Sequence, residues 1–301
     1  MNEKKEYIFI FDKNLDNSKY TYARLIELYH VLNSLNQEKI ILDFSNVTFL
    51  SANLLAVLGC CVENTIAKRN HKIALRNIHS KIKAVMQRNG FNKYFTWDHL
   101  DDLNHHTMSY DIFESTTEHL VDFERYLLLN VFSRESMPLM NSAYKNSIID
   151  NFLEMFNNVI DHADSSHVYV CGQFFPRSMN LCFSIVDMGK TINENVTLYL
   201  RKSTAELPDN SLKWAIIPGN STKASEAPGG LGFSTLLDFL KYNNGCFTLI
   251  SDKEIYELKS CKERFDKLSF PFPGTIVTIT INLKDDQSYF LDKREKNVII
   301  F

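Results

Sequence analysis

Near the middle of the chain stands the stretch Glu154-Met155-Phe156-Asn157-Asn158-Val159-Ile160-Asp161-His162-Ala163, the end of a helix predicted over residues 141–163. Apolar residues recur along this helix at helical spacing and form one stripe: Ile148, Phe152, Phe156 and Val159. A second stripe is polar and consists of Asn151, Glu154, Asn158 and His162. A polar stripe alone is typical of a solvated helix face, so its meaning depends on the sequence that follows.

Carboxylate and glycine motifs follow this helix in a fixed order. A strand predicted over 180–186 ends in Asp187-Met188-Gly189, and Gly229-Gly230-Leu231-Gly232 stands directly before a helix predicted over 233–243. Gly274-Thr275 then begins a closing strand. Glycines before a helix N-terminus let backbone N–H groups approach a phosphate, whose negative charge the helix dipole favours. Each motif is a weak signal by itself, but their order indicates a nucleotide site.

That order resembles the ATP-binding domain shared by gyrases, Hsp90 chaperones, histidine kinases and MutL proteins (the GHKL or Bergerat type). The closest resemblance is to anti-sigma-factor serine kinases, over residues 118–284. It implies that Glu154 is the general base where catalysis occurs, that Asn158 coordinates Mg²⁺ between the phosphates, and that Asp187 accepts a hydrogen bond from the adenine amino group. Gly189 would leave room for the ring. The phosphates and the adenine side would be completed by Thr222, Lys223, Gly229, Gly230, Gly232 and Thr275.

One position departs from the family pattern. The family often reads Asp-x-Gly-x-Gly, and here the second glycine position is Thr191. A β-branched residue stiffens a turn, so this departure is expected to affect affinity and turnover more than binding itself.

The first ninety-odd residues alternate strand and helix patterns. Strands are predicted at 7–11, 39–44 and 72–75, and helices at 18–35, 52–67 and 80–88, which favours a largely parallel sheet. The pattern resembles the STAS domain of anti-sigma-factor antagonists over about residues 6–96. In those antagonists a serine before the central helix is phosphorylated by the partner kinase, whereas the aligned residue here is Asn53. The resemblance therefore implies a domain that docks, either onto the ATP-binding domain or onto a partner, without phosphorylation of this loop. The contact would involve the Ser51 loop and the exposed side of the helix predicted at 52–67.

The expected fold class is α/β, with a STAS-like domain at 1–96 followed by a Bergerat-type α/β sandwich at 118–284. Asp, His, Thr and Ser dominate residues 97–117, which are interpreted as a linker, and residues 285–301 as a C-terminal tail.

Composition narrows the functional class. The chain has 301 residues and a formal net charge of −3, which argues against a bulk electrostatic nucleic-acid binder. Its longest apolar run, at 54–62, is far shorter than the ~20 residues of a spanning helix, so no membrane association is expected. The six cysteines form no CxxC motif and are interpreted as reduced core thiols of a cytoplasmic protein.

Together these features predict a cytoplasmic ATP- and Mg²⁺-binding regulatory protein of the anti-sigma-kinase type. ATP would order the lid between residues 204 and 232, and the partner would be a protein, either sigma-factor-like or a STAS-type regulator. Fusion of the two domains suggests an intramolecular or homodimeric switch. Two functions stay open: ATP hydrolysis or Ser/Thr phosphoryl transfer, and a catalytically silent ATP- or ADP-gated interaction module. A histidine-kinase-like protein is a weaker alternative, since residues 97–140 offer only one convincing helix and no phosphoacceptor His motif.

Overall fold

A computed structural model describes residues 6–35, 39–69, 71–202, 205–220, 222 and 233–291. These residues form a mixed α/β structure with two main sheets, one parallel and one antiparallel.

The N-terminal unit, residues 6–94, contains the parallel sheet, in the strand order β1-β2-β3. Its elements are β1 (Glu6–Ile10), α1 (Lys19–Ser34), β2 (Lys39–Asp43), α2 (Leu54–Arg69), β3 (Lys72–Arg76) and α3 (Ser80–Arg88). The Ser18 side chain caps α1 by accepting a hydrogen bond from the Thr21 N–H group. Every helix and strand predicted in this part of the sequence is present within about two residues of its predicted ends, which confirms the predicted parallel α/β pattern.

The C-terminal unit, residues 107–291, is built on a five-stranded antiparallel sheet in the order β4-β6-β7-β9-β8. Its elements are β4 (Thr107–Glu114), α4 (Thr117–Leu127), β5 (Leu139–Met140), α5 (Ser142–Asn158), β6 (His167–Phe175), β7 (Asn180–Asp187), α6 (Ile192–Lys202), α7 (Ser211–Ala215), α8 (Ser234–Tyr242), β8 (Cys246–Lys259), β9 (Lys262–Asn282) and β10 (Ser288–Tyr289). A π-helical turn, Val159–Ala163, extends α5 to the predicted end of that helix.

Two boundary predictions are corrected by this topology. Residues 97–117 are not only a linker, because β4 lies within them and pairs with β6 at the edge of the sheet. The segment predicted as a C-terminal tail begins with an ordered part, since β10 pairs with β5 and Tyr289 is buried. Residues 292–301 lie outside the described part of the chain.

The antiparallel sheet is covered on both faces. Along β7, Leu181, Phe183 and Ile185 pack in the core that contains α5 and α8. The alternate residues point the other way, and Val186 joins the core formed with the N-terminal unit. The sheet therefore separates two layers: α5 packs on one face and the N-terminal unit packs on the other.

Asn53, the residue at the aligned phosphoacceptor position, is fully buried in the contact between the two units. Its Nδ2 donates to Ser184 Oγ on β7 at 2.9 Å and to Asn17 Oδ1 at 2.8 Å, and its Oδ1 accepts from Ser51 Oγ at 2.6 Å. The network continues from Ser184 to Thr278 on β9 at 2.7 Å. The Ser51 loop, predicted as the docking surface, therefore contacts the C-terminal sheet. That this docking does not depend on phosphorylation of the loop stays a prediction.

Helix α2 approaches the sheet so closely that it requires a glycine. A Cβ atom placed on Gly59 would lie 2.1 Å from the hydroxyl oxygen of Tyr110 on β4. Helix α2 therefore packs directly against Tyr110 of the edge strand β4.

We expect the variant Asn53→Asp to have a free energy of unfolding about 2–4 kcal/mol lower than that of the parent protein at pH 7.5. The reason is that a buried carboxylate would replace an amide that donates two hydrogen bonds. Burial raises the pKa of such a carboxyl, so the folded state holds the proton more tightly and stability falls as pH rises above about 4. Thermal melts at pH 4.5 and 7.5 measure this loss. The matched control is Asn46→Asp at an exposed position of the same loop; equal melting temperatures for both variants would contradict the buried network.

Candidate functional site

A cavity opens on the α5 face of the antiparallel sheet. Helix α5 and its π-helical turn form one side, β7 and β9 form the floor, and α6 and α7 form the opposite side. Five of the residues to which the resemblance assigns a role line it together: Glu154, Asn158, Asp187, Thr222 and Thr275. The structure therefore brings together residues that are up to 121 positions apart in the chain.

Asp187 lies at the floor of this cavity, at the end of β7. Its residue is 4% exposed, and burial raises the pKa of its carboxyl to about 7, with a smaller opposing effect from hydrogen bonding to Thr275. Thr275 is the residue directly opposite on β9. Among the described residues none donates a hydrogen bond to Asp187 Oδ1. A buried oxygen without a partner is costly, and the residue that carries it lines a cavity in which a ligand could supply the donor.

The residues of the polar stripe have two different roles. Glu154, Asn158 and His162 line the cavity. Asn151 instead holds α8 in place, since its Oδ1 accepts a hydrogen bond from the Leu236 N–H group at 3.1 Å. The C-terminal part of the stripe therefore lines the cavity, and it includes the predicted base and the predicted Mg²⁺ ligand.

Gly189 is positioned beside the cavity and does not line it. A Cβ atom at this residue would lie 1.9 Å from the carbonyl oxygen of Ala163 and 3.0 Å from the Ser165 nitrogen. The structure gives a local reason for glycine here, because the turn after β7 passes against the end of the α5 extension. Room for an adenine ring stays a prediction.

Thr191, where the resemblance would expect a glycine, directly precedes α6 and caps it. Its N–H and its hydroxyl both donate to Glu194 Oε2, at 2.6 and 2.9 Å, and its Oγ1 accepts from the Glu194 N–H group at 3.2 Å. This reciprocal pair is a capping box, for which Thr-x-x-Glu is the sequence signature. The Thr-x-x-Glu pattern was visible in the sequence and is typical of a helix N-terminus, but the sequence analysis predicted no helix here.

Helices α6 and α7 supply cavity residues that the sequence did not single out. Ile192, Asn195 and Val196 come from α6, and Trp214 and Ala215 come from α7. Lys190, just before α6, also lines the cavity and forms an ion pair with Asp164. The predicted phosphate-binding residues Lys223, Gly229, Gly230 and Gly232 lie outside the described residues, whereas Asn220 and Thr222 of the predicted lid also line the cavity.

The described residues hold neither a cluster of metal-ligating side chains nor a disulfide. Within the described ranges no group of three or more His, Cys, Asp or Glu residues is arranged to hold a metal ion. All six cysteines are free, and four of them are buried. In that same part of the chain, no helix combines the length and the apolar character that crossing a bilayer requires.

Comparison with known proteins adds no family assignment. No protein-family model matches the chain, and no curated protein matches it either.

Proposed function

We propose that this protein binds ATP with Mg²⁺ in the cavity beside α5, as a regulatory protein of the anti-sigma-kinase type. In this proposal the C-terminal unit is a Bergerat-type nucleotide domain, and the N-terminal unit is a STAS-like domain docked on the back of its sheet. The observation that carries the proposal is Asp187, a buried carboxylate with an unpartnered oxygen at the floor of a cavity.

The residues present fit an adenine nucleotide. An exocyclic amino group offers the donor that Asp187 Oδ1 lacks, and Thr275 lies opposite to complete the polar edge of the floor. The remaining floor is apolar, with Ile185 and Val277 beside these two residues, which suits a flat heterocycle.

The residues also fit Mg²⁺ held mainly by phosphates. Mg²⁺ takes oxygen ligands and usually keeps several waters, with only one or two protein ligands besides the substrate phosphates. Asn158 offers an amide oxygen, and Glu154 stands one helical turn earlier on the same cavity face. Bound Mg²⁺ would neutralise phosphate charge, while Glu154 would accept the proton of an attacking water or hydroxyl group.

A catalytically silent nucleotide sensor is the second candidate, and the burial of Asn53 favours it. The loop that is phosphorylated in the antagonists is here enclosed against the sheet, with Ser51 only 2% exposed. If the protein does transfer a phosphoryl group, its acceptor lies elsewhere than this loop, and a STAS-type or sigma-factor-like regulator is the partner class that the proposal names.

Calorimetric titration with ATP, ADP and GTP, with and without Mg²⁺, tests binding. ATP or ADP should bind and GTP should not, because guanine presents a carbonyl oxygen where adenine presents its amino donor. Incubation with terminal-phosphate-labelled ATP then separates the candidates. Label on protein indicates a kinase, free labelled phosphate an ATPase, and unchanged ATP a sensor. Absence of ATP and ADP binding would overturn the proposal.

A further inference from the structure

Strand β8 contributes two buried polar side chains that do not line the cavity but contact the helices that do. Ser251 is 0% exposed and Glu254 is 6% exposed. Neither contributes to the cavity surface. Burial of a polar group is costly unless the group is hydrogen-bonded. The hydrogen-bond partners of Ser251 and Glu254 therefore indicate the structural role of these two side chains.

Glu254 holds the beginning of α7. Its Oε2 accepts hydrogen bonds from the backbone N–H groups of Ser211 at 2.9 Å and Leu212 at 3.1 Å, and its Oε1 accepts from Ser211 N–H at 3.1 Å. These donors belong to the first turn of α7, where no helical carbonyl is available to them. Trp214, one turn later on that helix, lines the cavity.

The same strand also fixes the beginning of α6. Ser251 Oγ accepts from the Ile192 N–H group at 2.9 Å and donates to the carbonyl oxygen of Gly274 at 2.7 Å. Gly274 directly precedes Thr275 of the cavity floor. The two helices are joined in turn, since Asn193 Nδ2 donates to Ser211 Oγ at 2.9 Å.

We infer that Glu254 is a positioning residue for the nucleotide: it sets the distance between α7 and the sheet, so that Trp214 forms the cavity wall opposite α5. This inference rests on the proposed function. A carboxylate suits the task because it accepts several backbone N–H groups at once and complements the positive end of a helix.

The test uses the full chain in a Trp97→Phe background, in which Trp214 is the only remaining tryptophan, since the chain has two. Glu254→Gln keeps the shape of the side chain but loses the charge and one acceptor oxygen. Calorimetry should show ATP and ADP affinity reduced by about tenfold or more. Emission of Trp214 without nucleotide should move to longer wavelength, because a displaced α7 exposes the indole.

The matched control is Glu257→Gln, the same change on the same strand at a residue that does not contact α7 through its carboxylate. It should keep affinity within about twofold and leave the Trp214 emission unchanged. Should Glu254→Gln fail to fold, Asn193→Ala takes its place, because it cuts the α6–α7 link at a half-buried site. Its expected effects are the same in direction and smaller.

The outcomes separate this inference from the proposed function. A parent protein that binds neither ATP nor ADP overturns both. Binding by the parent together with unchanged affinity in Glu254→Gln overturns the positioning role alone. Weaker binding with unchanged Trp214 emission overturns it too, because the effect would then not act through α7.

Discussion

Asp187→Asn is expected to abolish ATP binding and, at the same time, to make the free protein more stable at pH 8. The carboxylate has two acceptor oxygens, one of which lacks a partner among the described residues, and Asp187 lines the cavity. An amide has one acceptor oxygen, which the donors of Thr275 would claim. The amide NH₂ group would then face the adenine amino group, donor against donor, at a cost of about 2–4 kcal/mol in binding.

The gain in stability follows from the pKa of Asp187. Burial raises that pKa from 3.8 to about 7, so the folded state holds the proton more tightly than the unfolded chain. The free energy of unfolding therefore falls as pH rises from about 4 to about 7 and stays low above that. One pKa unit corresponds to about 1.4 kcal/mol, which sets the loss on the order of 4 kcal/mol. Asparagine does not titrate and avoids this loss, although its own burial offsets part of the gain.

Calorimetry with ATP and chemical denaturation at pH 4 and pH 8 measure the two effects. The variant should gain stability over the parent at pH 8 and show no gain at pH 4. Asp150→Asn is the matched control, because Asp150 is an exposed carboxylate on α5, and it should change neither quantity. Binding of ATP at parental strength by Asp187→Asn would remove Asp187 from the site.

The sequence predicted those elements whose pattern is local. Helix α5, for example, combines an apolar stripe at helical spacing with the Asn141 cap, and its cap bond to the Tyr144 N–H group is present at 2.8 Å. Gly90, which follows the helix predicted at 80–88, has a positive φ of 85°, as is common for a glycine just after a helix. Such signals act within a few residues, so they can be interpreted without knowledge of the tertiary structure.

Elements that depend on distant partners were missed. Strand β4 alternates buried Met108 and Tyr110 with more exposed residues, but the polar residues before it outweighed this short alternation. The closing strand was predicted to begin at Gly274, but β9 begins at Lys262 and pairs with β8, which extends to Lys259. The extension of β9 is held by contacts that no local pattern shows, such as the ion pair of Asp266 with Lys19 of α1 at 2.7 Å.

In the candidate site, too, some residues could be identified from the sequence and others only from the tertiary structure. The sequence indicated Asp187 and Thr275, and the sheet register then placed them directly opposite each other. It could not indicate Trp214 or Glu254, whose roles arise from the packing of α7 against β8. Neither could it show that Asn53 would be enclosed by Ser184, a residue 131 positions away.

The variant Glu154→Ala separates binding from chemistry, and it has the largest expected effect on turnover. Glu154 lines the cavity on the same helix as Asn158, one turn nearer the N-terminus. A general base acts mainly in the transition state, so nucleotide affinity should stay within a few-fold of the parent value. Any hydrolysis or phosphoryl transfer should fall by about 10²–10⁴-fold.

Release or transfer of labelled terminal phosphate is the measurement, with calorimetry on the same preparation to confirm that nucleotide still binds. Asp187→Asn is the matched comparison, because it should lose turnover through loss of binding. Glu154→Gln keeps the size of the side chain but cannot accept a proton, so it should be as inactive as Glu154→Ala. Turnover that survives in both Glu154 variants would show that another group takes the proton. The Glu154 carboxylate would then line the cavity only as part of the polar face of α5 and would have no role in proton transfer.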